Sequence, residues 1–302
     1  MNPSIKDYLM LHFIVVIWGF TAILGLLISL PAIELVFYRT LIAAVGVAGL
    51  FLLKKKTLSM PLPDMLRVTG VGFVIAMHWI LFFWSARVST ASVCLAGMAT
   101  TSLWTAFVEP LLNRTKIKWY EVGLGLMVIS GLLVIFSFET GYWLGISMAL
   151  GSAFLAAVFS VLNSKLAHKH NPYQITFYEM AGACLFTVLF MPIYSIFLSD
   201  EGLKMSLHGY DWFWLFILGG VCTVYAFSVS VDLMKRLSVF SINLTVNLEP
   251  IYGIVLAVLI FGESEKMTPQ FYLGTGIILV SVLSYPVLNY WNKRRKPIRP
   301  LG

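Results

Sequence analysis

Apolar residues run through this chain in long stretches separated by short polar joints. Ten stretches of about 20 residues stand out, at 8–29, 33–53, 66–86, 89–112, 120–138, 143–165, 173–198, 211–231, 238–261 and 270–290. About 20 apolar residues in a helix cross the ~30 Å of a bilayer's hydrocarbon. The stretches do not alternate in polarity, which argues against a transmembrane barrel. Backbone groups in lipid must be satisfied within their own segment, so each stretch is predicted to be a helix. The predicted fold is an all-α integral membrane protein of ten transmembrane helices. The first stretch begins near Tyr8 and is too long for the apolar region of a signal peptide.

Composition agrees with the pattern. Of 302 residues, 59% are hydrophobic, 15% aromatic and 12% charged, against about 25% charged in ordinary soluble domains. The mean hydropathy is +0.86. Disordered, collagenous and disulfide-scaffold classes are excluded, and no joint is long enough to form a separate soluble domain. The net charge of +7 sits in the joints, where it reports topology and not a nucleic-acid partner. On the side of the N-terminus lie Lys6, Lys54–Lys56, Arg67, Arg114, Lys116, Lys118, Lys165, Lys169, Lys235, Arg236 and the five cations of 293–299, 17 in all; the opposite side has Arg87, Lys204 and Lys266. That asymmetry predicts two cytoplasmic termini. Cys94, Cys184 and Cys222 all lie in apolar stretches without CxxC or Cys/His spacing. No metal site or cofactor is expected, and the absence of a GxxxxGK[ST] loop argues against an ATPase.

The chain repeats itself. Arg87-Val-Ser-Thr-Ala-Ser92-Val opens the fourth stretch and Arg236-Leu-Ser-Val-Phe-Ser241-Ile the ninth. Pro31 leads to Phe37-Tyr38-Arg39 in the second, and Pro172 to Phe177-Tyr178-Glu179 in the seventh. The matched stretches stand five apart, an odd number, so the second copy is predicted to be upside down relative to the first. The halves are read as 1–138 and 139–290, followed by a basic cytoplasmic tail at 291–302. Inverted repeats of this kind place a solute site near the bilayer midplane between them.

Trp18-Gly19-Phe20 in the first stretch, Arg39 early in the second, Glu249-Pro250 in the middle of the ninth and Gly262-Glu263 closing it resemble the EamA-type transporters of the drug/metabolite transporter superfamily. The resemblance covers nearly the whole chain. It implies a bacterial inner-membrane protein that exports amino acids or other metabolites. Two departures stand out: Thr101 replaces the proline usual in the middle of the fourth helix, and Glu109-Pro110 replaces a closing Gly-Glu. The halves are therefore chemically unequal.

Polar groups inside a bilayer are costly and need a reason. Glu249 precedes Pro250, which removes a helical N–H, frees a carbonyl and marks a kink or gate; the alternative is a neutral Glu bonding a neighbouring helix. Asn243 and Asn247 fall 40° apart on a helical wheel, whereas Thr245, Glu249 and Tyr252 fall on another side. An undistorted helix cannot aim all five at one cavity, and the Asn face is read as the solute-lining one. Arg39 suits a carboxylate, and Glu179 an amine or a proton; snorkelling to the interface is the alternative for both. Glu249, Glu179 and His78 are the residues with proton-coupling chemistry. Trp18, Tyr38, Trp79, Thr101, Trp104, Tyr178 and Tyr225 lie deep enough to line a small-plus-aromatic cavity, or simply to pack. Gly141, Gly145, Ala149, Ala153 and Ala157 recur every four residues as a seam for close helix approach. His168-Lys169-His170 reads as a solvated loop.

The function that follows is secondary transport by alternating access, of an amino acid or related amphipathic metabolite, or alternatively a sugar or sugar conjugate. The expected partners are a small-molecule solute and the bilayer, with the protein a monomer or homodimer. An enzyme would need clustered catalytic groups, and a channel a filter or charge rings; the ionisable residues here are dispersed singly.

Overall fold

The computed structural model describes residues 4–138, 140–199, 202–249 and 268–295, with isolated positions between 252 and 262. Helices dominate, and no strand occurs among the described residues. They are α1 (Ile5–Gly19), α2 (Thr21–Leu27), α3 (Ala32–Leu53), α4 (Leu62–Val88), α5 (Ala91–Met98), α6 (Thr101–Asn113), α7 (Trp119–Phe138), α8 (Trp143–Ala167), α9 (Pro172–Phe197), α10 (Asp211–Phe216), α11 (Ala226–Leu233), α12 (Val239–Val246) and α13 (Pro269–Arg295); a π-helical stretch, Ile217–Tyr225, joins α10 to α11. Eight stretches are long and apolar enough to cross a membrane: 5–27, 32–53, 62–88, 91–113, 143–167, 172–197, 211–233 and 269–289. Of the other two stretches read from the sequence, α7 covers one and α12 the first part of the other.

Three apolar stretches that the sequence offers as continuous helices are broken near their middles. The first breaks at Phe20, the fourth at Ala99–Thr100, and the ninth beyond Val246. No proline sits at the first two breaks. Threonine hydroxyls occupy them: Thr21 Oγ1 donates to the Trp18 carbonyl at 2.8 Å, Thr100 Oγ1 to Gly97 at 2.8 Å and Thr101 Oγ1 to Met98 at 2.7 Å. A carbonyl released from the helical ladder inside lipid needs such a donor. The repeat signature gains a structural counterpart here. α5 and α12 are each eight residues long. Each starts at a hydroxyl cap, Thr90 Oγ1 accepting from Val93 N–H and Ser238 Oγ from Ser241 N–H.

The core is built around α4, which packs along both α8 and α9, while α3 lies antiparallel against α9 and α7 along α13. Bare backbone makes the tightest crossings. A Cβ on Gly72 would stand 2.2 Å from the Glu179 carbonyl oxygen, and one on Gly182 2.2 Å from that of Thr69. The expected small-residue seam faces α4 and α5, with Gly145 against Ser89 and Ala149 against Gly97. On the α7–α13 side, Glu121 gathers Lys118 Nζ at 2.9 Å, Tyr120 OH at 3.2 Å and Tyr285 OH at 3.3 Å.

The two ends of the bundle are tied differently. At the N-terminal face, Arg236 Nε donates to Asp7 at 2.7 Å and its Nη2 to Asp232 at 2.9 Å. His170, expected to be solvated, stands 3.0 Å from Asp64 Oδ2. At the far face, the Arg87 guanidinium caps the carbonyls of Gly25, Ile28 and Leu30 at the end of α2. Asp211 there accepts from Ser29 N–H at 2.9 Å and from Ser29 Oγ at 2.5 Å.

Two loops are latched reciprocally. At the far face, Tyr38 OH donates to the Met205 carbonyl at 2.9 Å and Glu34 Oε1 accepts from Lys204 N–H at 3.0 Å. At the N-terminal face, Tyr178 OH donates to the Leu58 carbonyl at 3.0 Å, and Gln174 Nε2 to those of Thr57 at 3.1 Å and Ser59 at 3.2 Å. One offset of 140 residues relates Glu34 to Gln174, Tyr38 to Tyr178 and Arg39 to Glu179. Each helix of the antiparallel α3–α9 pair therefore holds the loop that leaves the other.

Candidate functional site

Where the broken helices converge, a narrow cavity of about 90 Å³ opens. Trp18 and Thr21 come from α1 and α2, Met98 and Thr101 flank the break between α5 and α6, and Asn243 and Glu249 flank the break after α12. α3 contributes Arg39, α4 His78, Trp79 and Phe82, α8 Phe159, Ser160 and Asn163, and α11 Phe227 and Ser230. Asn163, Met234 and Ile242 lie near the ends of their elements at the N-terminal face, so the cavity extends toward that face. The Arg87 cap and the Ser29–Asp211 pair lie at the opposite face.

Arg39 is the cation of the cavity. Its Nε donates to Thr223 Oγ1 at 2.9 Å, and its guanidinium lies 3.7 Å from the centroid of the Trp79 ring. The π-helical stretch sets this anchor, because Thr223 Oγ1 itself donates to Leu218 O five residues back, at 2.8 Å. The terminal nitrogens of Arg39 make no hydrogen bond to a described residue. A guanidinium held by its Nε and one face presents its remaining donors as a fork for a carboxylate. Glu249 is the carboxylate of the same cavity, with Oε1 3.5 Å from Thr21 Oγ1. Trp18 Nε1 donates to the Cys222 carbonyl at 3.0 Å, again in the π-helical stretch. His78 Nδ1 donates to the Ser152 carbonyl at 2.9 Å, leaving the ring against Phe159.

The remaining sequence-derived residues sit outside this wall. Tyr38 and Tyr178 are the loop latches described above. Trp104 packs edge-on against Phe154, its indole N–H buried without a partner among the described residues. Tyr225 is 37% exposed on the bundle's outside, its hydroxyl 3.6 Å from Met10 Sδ. Asn247 turns to α6 and donates to Ser102 Oγ at 2.6 Å, one turn from the bond of Asn243 to Thr105 Oγ1 at 2.8 Å. The helical wheel separates Asn243 from Glu249, but the turn at Asn247–Leu248 re-aims the chain, so both line one cavity. Glu179 is fully buried between α9 and its neighbours, off the cavity wall. Pro250 lies outside the described residues.

A family model described as the EamA-like transporter family matches residues 6–137 and again 143–285. The chain belongs to this family. The double match makes it an EamA-like protein of two repeats. Among its relatives is an uncharacterized transporter of Bacillus subtilis, 24% identical over 260 residues, which cover 83% of this chain and 79% of that one. An uncharacterized transporter of Archaeoglobus fulgidus is 24% identical over 286 residues, 91% and 94% of the two chains. The UDP-uronic acid transporter 1 of Arabidopsis thaliana is 23% identical, covering 70% and 68%. A solved crystal structure superposes with a TM-score of 0.70 over 97% of this chain, at 17% identity, which establishes the shared fold. The protein is thus an EamA-like membrane transporter.

For this EamA-like chain, sequence reasoning passed over α8. Its small-residue stripe drew attention to the packing face, whereas Ser160 and Asn163 lie on a different face and reach the cavity. The available signal was Asn163 itself, a strongly polar side chain in an apolar run.

Proposed function

We propose that the protein is a secondary transporter that moves a small zwitterionic solute, an amino acid or a related amphipathic metabolite, across the bacterial inner membrane by alternating access. One observation carries this reading: a cation whose terminal donors make no hydrogen bond to a described residue, Arg39, and a carboxylate, Glu249, line one aromatic cavity. Arg39 takes the solute carboxylate and Glu249 its ammonium. Trp18, Trp79 and Thr101 form the wall beside them. The proposed topology is ten spanning helices in two inverted sets of five, 1–138 and 139–290, with both termini and the 291–302 tail cytoplasmic. The N-terminal face then looks into the cell, and the described state is closed outward. The direction of transport is proposed as export.

A sugar conjugate is the second reading, favoured by the name of the Arabidopsis relative. A nucleotide-linked uronate would bring a diphosphate and a carboxylate to a cavity in which Arg39 is the arginine and Glu249 a repelling charge. The amino-acid reading fits that pairing better.

The test is overexpression in a bacterial host, with untargeted mass spectrometry of the medium against a Glu249→Gln control. Amino acids enriched outside wild-type cells alone would support the proposal. Enrichment of sugar conjugates in their place would sink it.

A further inference from the structure

Glu179 is fully buried, and neither carboxyl oxygen has a well-formed hydrogen bond to a described residue. Beside it lies the amide of Asn163, also fully buried, which faces the carboxyl without closing a hydrogen bond of ordinary geometry and has no other partner among the described residues. Asn163 belongs to the cavity wall. Two orphaned polar side chains in sequence, one at the wall and one behind it, are costly in a packed bundle, and in native structures each calls for an explanation. Packing does not supply it. Gly72 and Gly182 let the α4 and α9 backbones close over Glu179, which seals it without satisfying it.

Among the described residues no ion pair compensates the group. The charged and titratable side chains on the elements packed against it are engaged elsewhere. Arg39 of α3 faces Thr223 and Trp79 and Glu34 of α3 accepts from Lys204 N–H, while His78 of α4 faces Ser152 and Arg87 of α4 caps the α2 carbonyls. Asp64 pairs with Arg67 and His170, Lys165 of α8 bonds the Leu112 carbonyl, and Asp232 of α11 pairs with Arg236. A carboxyl in such surroundings is tolerable only as the neutral acid.

The repeat gives that proton somewhere to go. Glu179 is the counterpart of Arg39, at the 140-residue offset that also pairs the latches. Arg39 lines the cavity in this state while Glu179 is sealed. In an inverted-repeat carrier the two halves exchange conformations between states, so the counterpart of an exposed residue in one state is exposed in the other. We infer that Glu179 is the proton-carrying residue of the transport cycle, sealed behind Asn163 in this state and open to the far face in the opposite one. This rests on the alternating-access reading above. At the far face, the carboxyl O–H forms or breaks against water, with hydronium as the other product or reactant. At the N-terminal face, once the Asn163 side chain moves aside and cavity water reaches the carboxyl, the same O–H forms or breaks against that water, with hydronium again the other reactant or product. Glu249 and His78 are not assigned this role, since each already has a partner at the cavity wall.

Two readouts test the proposal. The first needs no solute: purified protein is treated with a hydrophobic carbodiimide, which modifies protonated buried carboxyls, and peptide mass spectrometry locates the label. Glu179 should be modified, and less so as pH rises. The second is uptake of radiolabelled L-leucine by proteoliposomes, with the membrane potential clamped and a pH gradient imposed. Wild type should accumulate leucine toward about tenfold for a one-unit gradient, for one coupled proton. Glu179→Gln, which mimics the neutral acid, should keep leucine counterflow but lose gradient-driven accumulation. Undiminished accumulation by Glu179→Gln overturns the inference, as does a Glu179 that stays unlabelled at every pH. A labelled, pH-sensitive Glu179 in a protein that does not carry leucine upholds the proton site and sinks the leucine-like substrate instead.

Discussion

Arg39→Lys keeps a positive charge at the cavity wall and removes the geometry. Arg39 is held by its Nε bond to Thr223 and by its stack on Trp79. A hydrogen bond from a charged donor contributes about 1.5–3 kcal/mol, and a desolvated cation–π contact about 2 kcal/mol. Lysine can keep part of the second and has no equivalent of the first. A solute carboxylate would exchange a two-pronged contact for one, losing one charge-assisted bond. At about 1.4 kcal/mol per factor of ten, that is about a tenfold rise in Kd. Arg39→Met removes the charge as well and leaves Glu249 facing the solute alone, so the loss should exceed about a hundredfold. The assay is scintillation-proximity binding of radiolabelled L-leucine to detergent-purified protein, with a fluorescence melting curve for each variant to show that it is folded. A folded Arg39→Met protein that binds leucine within about twofold of wild type would refute the carboxylate assignment.

Three further outcomes are expected. Glu249→Gln should reduce counterflow about tenfold or more while leaving expression and the melting curve near wild type, and loss of folded protein would assign it to packing; Asn247→Ala, which removes the buried bond to Ser102, should instead lower the Tm, and an unchanged Tm would contradict that structural role. Gly72→Leu should force α4 and α9 apart, since even its Cβ meets the Glu179 carbonyl at 2.2 Å. An overpacking cost of about 1–3 kcal/mol should appear as a lowered Tm in detergent, and an unchanged Tm would contradict the crossing. Tyr38→Phe and Tyr178→Phe each remove one latch bond of about 1 kcal/mol, a shift of about fivefold in population. They should bias labelling of a Trp18→Cys probe by a membrane-impermeant thiol reagent toward opposite faces; a shift toward the same face would contradict reciprocal latching.

The helices were legible because a run of some 20 apolar residues has one structural solution in lipid, and the joints marked their ends. The cavity was legible in part. Trp18, Arg39, Trp79, Thr101, Asn243 and Glu249 are polar or large residues deep in apolar runs, and they line one wall. Their convergence was not legible, because it depends on breaks that leave little trace in sequence. Phe20 and Ala99 are ordinary helix residues, and the threonines that satisfy the freed carbonyls look like any other membrane threonine. Asn247 and Glu249 exchanged expected directions for the same reason: a helical wheel assumes a continuous helix, and α12 stops at Val246. The roles of Tyr38 and Tyr178 were beyond local pattern, since their partners Met205 and Leu58 lie 167 and 120 residues away.

The π-helical stretch at Ile217–Tyr225 has a genetic consequence. A π turn accommodates an extra residue without lengthening the helix, and so behaves as an insertion absorbed in place. Removing one codon, at Gly219 or Gly220 for instance, would let the stretch relax to ordinary α pitch. Residues on one side of the deletion would then turn by about 100° relative to those on the other. Thr223 would lose its register with Arg39, and the Cys222 carbonyl its register with Trp18. Gene copies differing by that single codon could keep every spanning helix and every loop and yet present a differently anchored arginine to the solute. Deletion, a class of change usually ruinous inside a helix, is at this position a route by which selectivity can diverge.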